Sequence, residues 1–85
     1  MSQDTATPQK IENPTFGQKA VGINFNPSAD SMVDRTKQHY ANIIDGLHEL
    51  RSTTESSEVK RLCSVAITEA QGAQMWAVKA ITWKD

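Results

Sequence analysis

The stretch ESSEVKRLCSVAITEAQGAQMWAVKAITWK, Glu55–Lys84, decides how this chain folds. It reads as a single helix. Ala66, Ala70, Ala73, Ala77 and Ala80 recur at steps of three and four, which puts them on one helical face. Small residues there let another helix approach closely. Val65, Met75, Trp76, Val78 and Trp83 lie largely off that stripe. A helix that is apolar on more than one face has more than one partner. The pattern belongs to a chain built to associate.

Upstream of this helix, Arg51–Ser57 (RSTTESS) is a break in which Ser56 or Thr54 caps the second helix, with Glu55 and Glu58 in its first turn. A further helix precedes the break. Asn26-Pro27 is a helix-start signal, because Asn caps free amides and Pro suits the first helical position. Asp30 and Asp34 then sit near the positive end of the helix dipole. The apolar stripe expected inside is Val33, Thr36, Tyr40, Ile43, Leu47 and Leu50, widened by Ile44. Gly46 costs about 1 kcal/mol of helix propensity and is the expected point of close approach. Two long helices joined by a short loop run antiparallel. The sequence therefore predicts an all-α helical hairpin over residues 26–85.

Residues 1–25 form the other segment. Met1–Lys10 is polar, contains Pro8 and lacks periodicity, so it is expected to be a mobile tail. Ile11–Phe25 carries Phe16, Phe25, Gly17, Gly22 and Lys19, with alternation at Val21, Ile23 and Phe25. That reads as an extended arm or short strand, anchored by its aromatics.

Size points to self-association. A chain of 85 residues with such an arm has a small core. Below roughly 70–80 residues, one core rarely supplies more than about 3–5 kcal/mol without disulfides, metals or oligomerisation. Cys63 is the single cysteine, and no Cys/His set has zinc spacing. A homo-oligomer remains. The short apolar runs offer no membrane span or secretory segment, and one cysteine fits a reducing cytosol. A net charge of −1 argues against a broad basic face for duplex DNA or RNA.

No enzymatic constellation is evident. His39 and His48 are nine apart on the first helix, too far for a metal pair, and both read as surface or interface residues. Cys63 falls on the apolar side, where thiols are commonly inert. Phosphate loops, nucleophile elbows and HExxH are absent. Lys37, beside Thr36 and near Arg35, reads first as a solvated helix charge and second as a ligand contact. Lys79, between Val78 and Ala80, either snorkels or meets an anion at a subunit junction. Thr68, Gln71 and Gln74 add neutral hydrogen-bonding groups. Two readings stand: packing punctuated by surface polarity, or pockets between subunits with cations for phosphates and aromatics for bases.

The segment VAITEAQGAQMWAVKAITW, Val65–Trp83, resembles the second helix of the small phage sponge proteins of the anti-CBASS and anti-Thoeris helical-hairpin family. The shared elements are Ala66, Thr68, Gln71, Met75, Lys79 and Ala80, with Lys37 matching a lysine on the first helix. The resemblance spans Asn26–Trp83, about two-thirds of the chain. It implies a non-enzymatic phage protein of the host bacterial cytoplasm, without cofactor or metal. Such a protein assembles as a compact homohexamer and holds cyclic di- or trinucleotides, or cyclised ADP-ribose derivatives, between protomers. It further implies that Lys37 contacts a phosphate and that Phe25 or Phe16 stacks on a base. Lys19, Asn26, Arg35, Thr68 and Lys79 complete the candidate ligand-binding set. Two departures stand out. Members often have a tyrosine before the first helix, where this chain has only phenylalanines. They also often have an arginine before the second-helix threonine, where this chain has Ile67. The competing expectation is a small phage interaction module that binds a host or virion protein.

Overall fold

Asp30, rather than Asn26, starts the first long helix. Its Oδ1 accepts the Met32 amide at 2.8 Å. Asn26 and Pro27 belong to a turn ahead of it. The Ala29 amide closes onto the Asn26 carbonyl at 3.1 Å. The Asn26 side chain donates to the Asp30 carbonyl at 2.9 Å and accepts from the Ser28 hydroxyl at 2.6 Å. Proline's fixed φ suits the second position of such a turn as well as it suits a helix start. Asp30, adjacent to the first helical residue, is the nearer acceptor and takes the cap.

The computed structural model describes residues 10–85. Of the polar tail expected over Met1–Lys10, residues 1–9 lie outside the described residues. Those described form three helices: α1 (Phe16–Ala20), α2 (Ser31–Thr53) and α3 (Ser57–Ile81). Ser56 caps α3 as expected, its hydroxyl accepting the Val59 amide at 3.1 Å. Helix α2 packs along α3, and α1 packs on α2. Ser56→Ala is expected to cost about 1 kcal/mol, read as a lower urea midpoint with an unchanged slope.

The arm is neither extended nor a strand. Thr15 and Gln18 form a reciprocal capping box at the start of α1. The helix ends where Gly22 adopts φ 64°. There the Gly22 amide bonds to the Lys19 carbonyl at 3.1 Å and the Ile23 amide to the Gln18 carbonyl at 2.9 Å. These paired bonds close a helix on a left-handed residue, a conformation that favours glycine. Asp45 on α2 then grips the start of α1, accepting the Thr15 hydroxyl at 2.7 Å and the Gly17 amide at 2.6 Å.

Val21, Ile23, Ala41, Ile44 and Ile67 make the core, with Ile11, Ala20, Tyr40, Leu47 and Ala70 packed against it. The arm is thus anchored in the core by its aliphatic residues, with Phe16 stacked on His48 of α2 and Phe25 left exposed. The buried face of α2 is Val33, Lys37, Ala41 and Ile44. Ile43 and Leu50, expected inside, are 55% and 47% exposed. The close approach explains this rotation. A Cβ on Gly17 would lie 2.1 Å from the Ala41 carbonyl oxygen, whereas one on Gly46 would meet nothing within 4 Å. Docking of α1 this close to the α2 backbone requires a residue without a Cβ on α1, and Gly17 provides it. On α3 the buried residues are Cys63, Ile67 and Gln74. The alanine stripe only borders that seam, with Ala73 and Ala80 exposed.

Much apolar surface stays uncovered. Leu62, Val65, Met75, Trp76 and Trp83 on or just beyond α3 are all exposed, as are Met32, Ile43 and Leu50 on α2.

Candidate ligand-binding site

The antiparallel hairpin brings the end of α3 beside the start of α2, and the turn before α2 closes over both. The result is a cavity of about 210 Å³ bordered by Phe25, Asn26, Pro27, Val33, Lys37 and Thr82, among others. Val78 also lines it. Nothing in the sequence marked Val78 and Thr82 as part of a site. Their place follows from the length of α3, which returns the chain to the start of α2.

Lys37 is not a solvated helix charge. It is 5% exposed. Its ammonium donates to the Gly22 carbonyl at 3.0 Å and to the Phe25 carbonyl. Burial pulls its pKa below the ordinary lysine value, and the nearby Asp34 carboxylate partly opposes that shift. The native ammonium therefore gives up its proton more readily than the unfolded chain's. Its contribution to stability rises as pH climbs through the lowered native pKa toward the unfolded one. A lysine ammonium has three donors. Two are engaged by the loop, which leaves one for the cavity. Asp34, one turn earlier, has a buried Oδ1 without a hydrogen-bond partner among the described residues.

Phe25 is 71% exposed, with its ring centroid 5.6 Å from the Lys37 ammonium. It borders both this cavity and a shallower depression of about 390 Å³ that includes Lys19. Phe16 is placed differently. Its ring stacks on His48, with centroids 4.1 Å apart and planes inclined by 8°. The Arg51 guanidinium lies 5.5 Å from the same ring and reaches His48 Nδ1 at 3.0 Å. His48, expected at the surface or an interface, is half-buried against α1, whereas His39 is exposed. Phe16 is thus occupied by its own chain, and Phe25 is the aromatic that remains open.

The structure brings Lys37, Phe25 and Asn26 together, with Lys19 joined through Phe25. The other candidates lie apart. Thr68 borders a separate depression on α3 with Ser64, Val65 and Glu69. Lys79 is exposed, its ammonium 6.0 Å from the Trp83 ring. Arg35 is exposed on α2 and does not line the Lys37 cavity. Cys63 is buried, as its apolar position suggested. Among the described residues no group of three or more His, Cys, Asp or Glu side chains is placed to hold a metal, and no helix is long and apolar enough to cross a membrane.

Fold and site together define a helical hairpin with an ammonium and an exposed aromatic at one cavity mouth. The chain belongs to the Acb2/Tad1 hairpin-domain family, the phage anti-CBASS and anti-Thoeris sponges, whose family model matches residues 18–82. That family is one of binding sponges rather than enzymes. The match takes in part of the arm as well as both long helices. Comparison with curated proteins and with solved structures found no match.

Proposed function

We propose that this protein sequesters cyclic oligonucleotide second messengers of bacterial immunity in the host bacterial cytoplasm, without cleaving them. The ligands are cyclic di- or trinucleotides, with cyclised ADP-ribose derivatives as a further class. The supporting observation is the pairing of Lys37 and Phe25 at one cavity: a cation with a donor to spare beside an uncovered ring. The cavity's volume of about 210 Å³ falls below the roughly 300–1,000 Å³ of usual small-molecule sites. A neighbouring protomer supplies the missing wall, and the uncovered residues of α2 and α3 supply the seams. A homohexamer is the assembly expected from the family.

The energetics are adequate. A sponge competing with an effector needs sub-micromolar to nanomolar affinity, about −8 to −12 kcal/mol. Charge-assisted hydrogen bonds contribute on the order of 1.5–3 kcal/mol each, and stacking contributes about 1–3 kcal/mol per base. Two protomers acting on a two-fold ligand reach that range. Calorimetry with cyclic di-AMP, cyclic di-GMP, 3′,3′-cyclic GMP–AMP, cyclic tri-AMP and cyclic ADP-ribose tests the proposal. At least one is expected to bind and to be recovered intact after denaturation. Absence of heat across the panel contradicts it. Phe25→Ala is expected to weaken binding by about 1–3 kcal/mol per stacked base, and Phe16→Ala by much less.

The competing reading is a module that binds a host or virion protein, and the exposure of Met75 and Trp76 favours it. The two separate by experiment: if self-assembly leaves those residues uncovered and no messenger binds, the interaction module stands.

A further inference from the structure

We propose that Lys37 is the positioning residue for Phe25, clamping the loop so that the aromatic ring stands at the cavity mouth. This rests on the sponge reading for its purpose, but not for its geometry. The segment from Gly22 to Ala29 is bounded by two residues of positive φ, 64° and 57°. Its ring-bearing residue is 71% exposed, so side-chain packing does little to orient Phe25. What holds the backbone there is a short set of bonds. The Phe25 amide closes on the Gly22 carbonyl at 2.9 Å, and the Asn24 side chain pairs with the Ile11 backbone at 2.8 and 2.9 Å. The Lys37 ammonium then ties down the Gly22 and Phe25 carbonyls.

The Asn26 side chain also ties the segment to the Asp30 carbonyl at the cap of α2, but among these bonds only those of Lys37 hold the Gly22–Phe25 turn to the buried face of α2. Lys37 projects from the buried face of a 23-residue helix, so the clamp is referenced to a long helix rather than to the loop itself. It spans both ends of the Gly22–Phe25 turn, and releasing it frees the backbone carrying the ring. Much of what Lys37 contributes to binding therefore passes through Phe25, in addition to its remaining donor toward a phosphate.

The chain has two phenylalanines, so labelling with 4-fluorophenylalanine gives two fluorine resonances, assigned with Phe16→Leu. In ligand-free protein, Lys37→Met is expected to move the Phe25 resonance toward its unfolded-peptide position and to leave Phe16 in place. A Phe25 resonance unmoved in the folded variant overturns the clamp. If Lys37→Met does not fold by circular dichroism, Lys37→Gln, too short to span both carbonyls, is read in the same way. With cyclic di-AMP and cyclic di-GMP as probes, Phe25→Ala is expected to weaken binding about 10- to 100-fold. Lys37→Met is then expected to cost a smaller factor in the Phe25→Ala background than alone. Equal factors in both backgrounds overturn action through Phe25. If neither probe binds, the sponge reading suffers, while the fluorine shift still decides the clamp.

Discussion

Gly17→Ala is expected to lower stability by about 3 kcal/mol or to detach α1 altogether. The added Cβ would sit 2.1 Å from the Ala41 carbonyl oxygen and 2.8 Å from Asp45 Oδ1. The first of these is helix backbone and cannot swing aside. Overpacking of this kind costs about 1–3 kcal/mol and sometimes more. Any shift of α1 also stretches the bond from the Gly17 amide to Asp45, a charge-assisted contact. Urea denaturation gives the magnitude, and hydrogen exchange over residues 15–25 shows whether the loss is local. The outcome reaches the site, because α1 carries the loop that bears Phe25. A variant as stable as the parent, with unchanged exchange, would show that α1 does not dock through Gly17.

Ile44→Ala should have an effect at least as large. Ile44 is fully buried at the point where α2, the segment after α1, and α3 meet, against Val21, Ile23 and Ile67. Truncations of this type cost about 2–5 kcal/mol. A core of this size supplies about 3–5 kcal/mol, so the isolated protomer is expected to lose its fold. Assembly or ligand offsets such a loss by mass action. The melting temperature of Ile44→Ala should therefore rise with protein concentration. A loss below about 1 kcal/mol, with a melting temperature independent of concentration, contradicts this account of the core.

The hairpin was legible in the sequence because its signals are local and agree with one another. Ser56 with Glu58, the break at Arg51–Ser57 and the long apolar periodicity all point to the same two helices. The signals for α1 were present too: Thr15 with Gln18 is a capping box, and Gly22 is a left-handed helix end. Two glycines and an alternation at Val21, Ile23 and Phe25 mask them, because five residues are too few for a helical period to show. The inward face of α2 was legible in part: Val33, Tyr40, Ile44 and Leu47 turn inward as expected, while Ile43 and Leu50 do not. Ile43 and Leu50 are more apolar than Ala41 and Lys37, yet the latter pair is buried. That choice is made by α1 docking at Gly17 and by loop carbonyls receiving the Lys37 ammonium, both tertiary effects.

The candidate site was half legible. Lys37 entered through family resemblance, while its residue-level reading as a surface charge was incorrect, since no local pattern announces that Gly22 and Phe25 will present carbonyls to it. The choice between Phe16 and Phe25 stayed open for a similar reason. Only the fold places His48 against one ring and leaves the other uncovered. Thr68, Lys79 and Arg35 share helices with the site without lining its cavity. Under the proposed assembly they would meet a ligand only if a neighbouring protomer carried them to it.

Native mass spectrometry of the purified protein, titrated with a cyclic dinucleotide that gives calorimetric heat, tests the central claim most directly. That claim is that sister protomers cover the exposed apolar surface and that their junctions hold the ligand. The predicted result is a closed oligomer carrying one intact ligand for every two protomers, with the same oligomer present before ligand is added. A folded monomer that persists at micromolar concentration, or one ligand bound per separate chain, would contradict it.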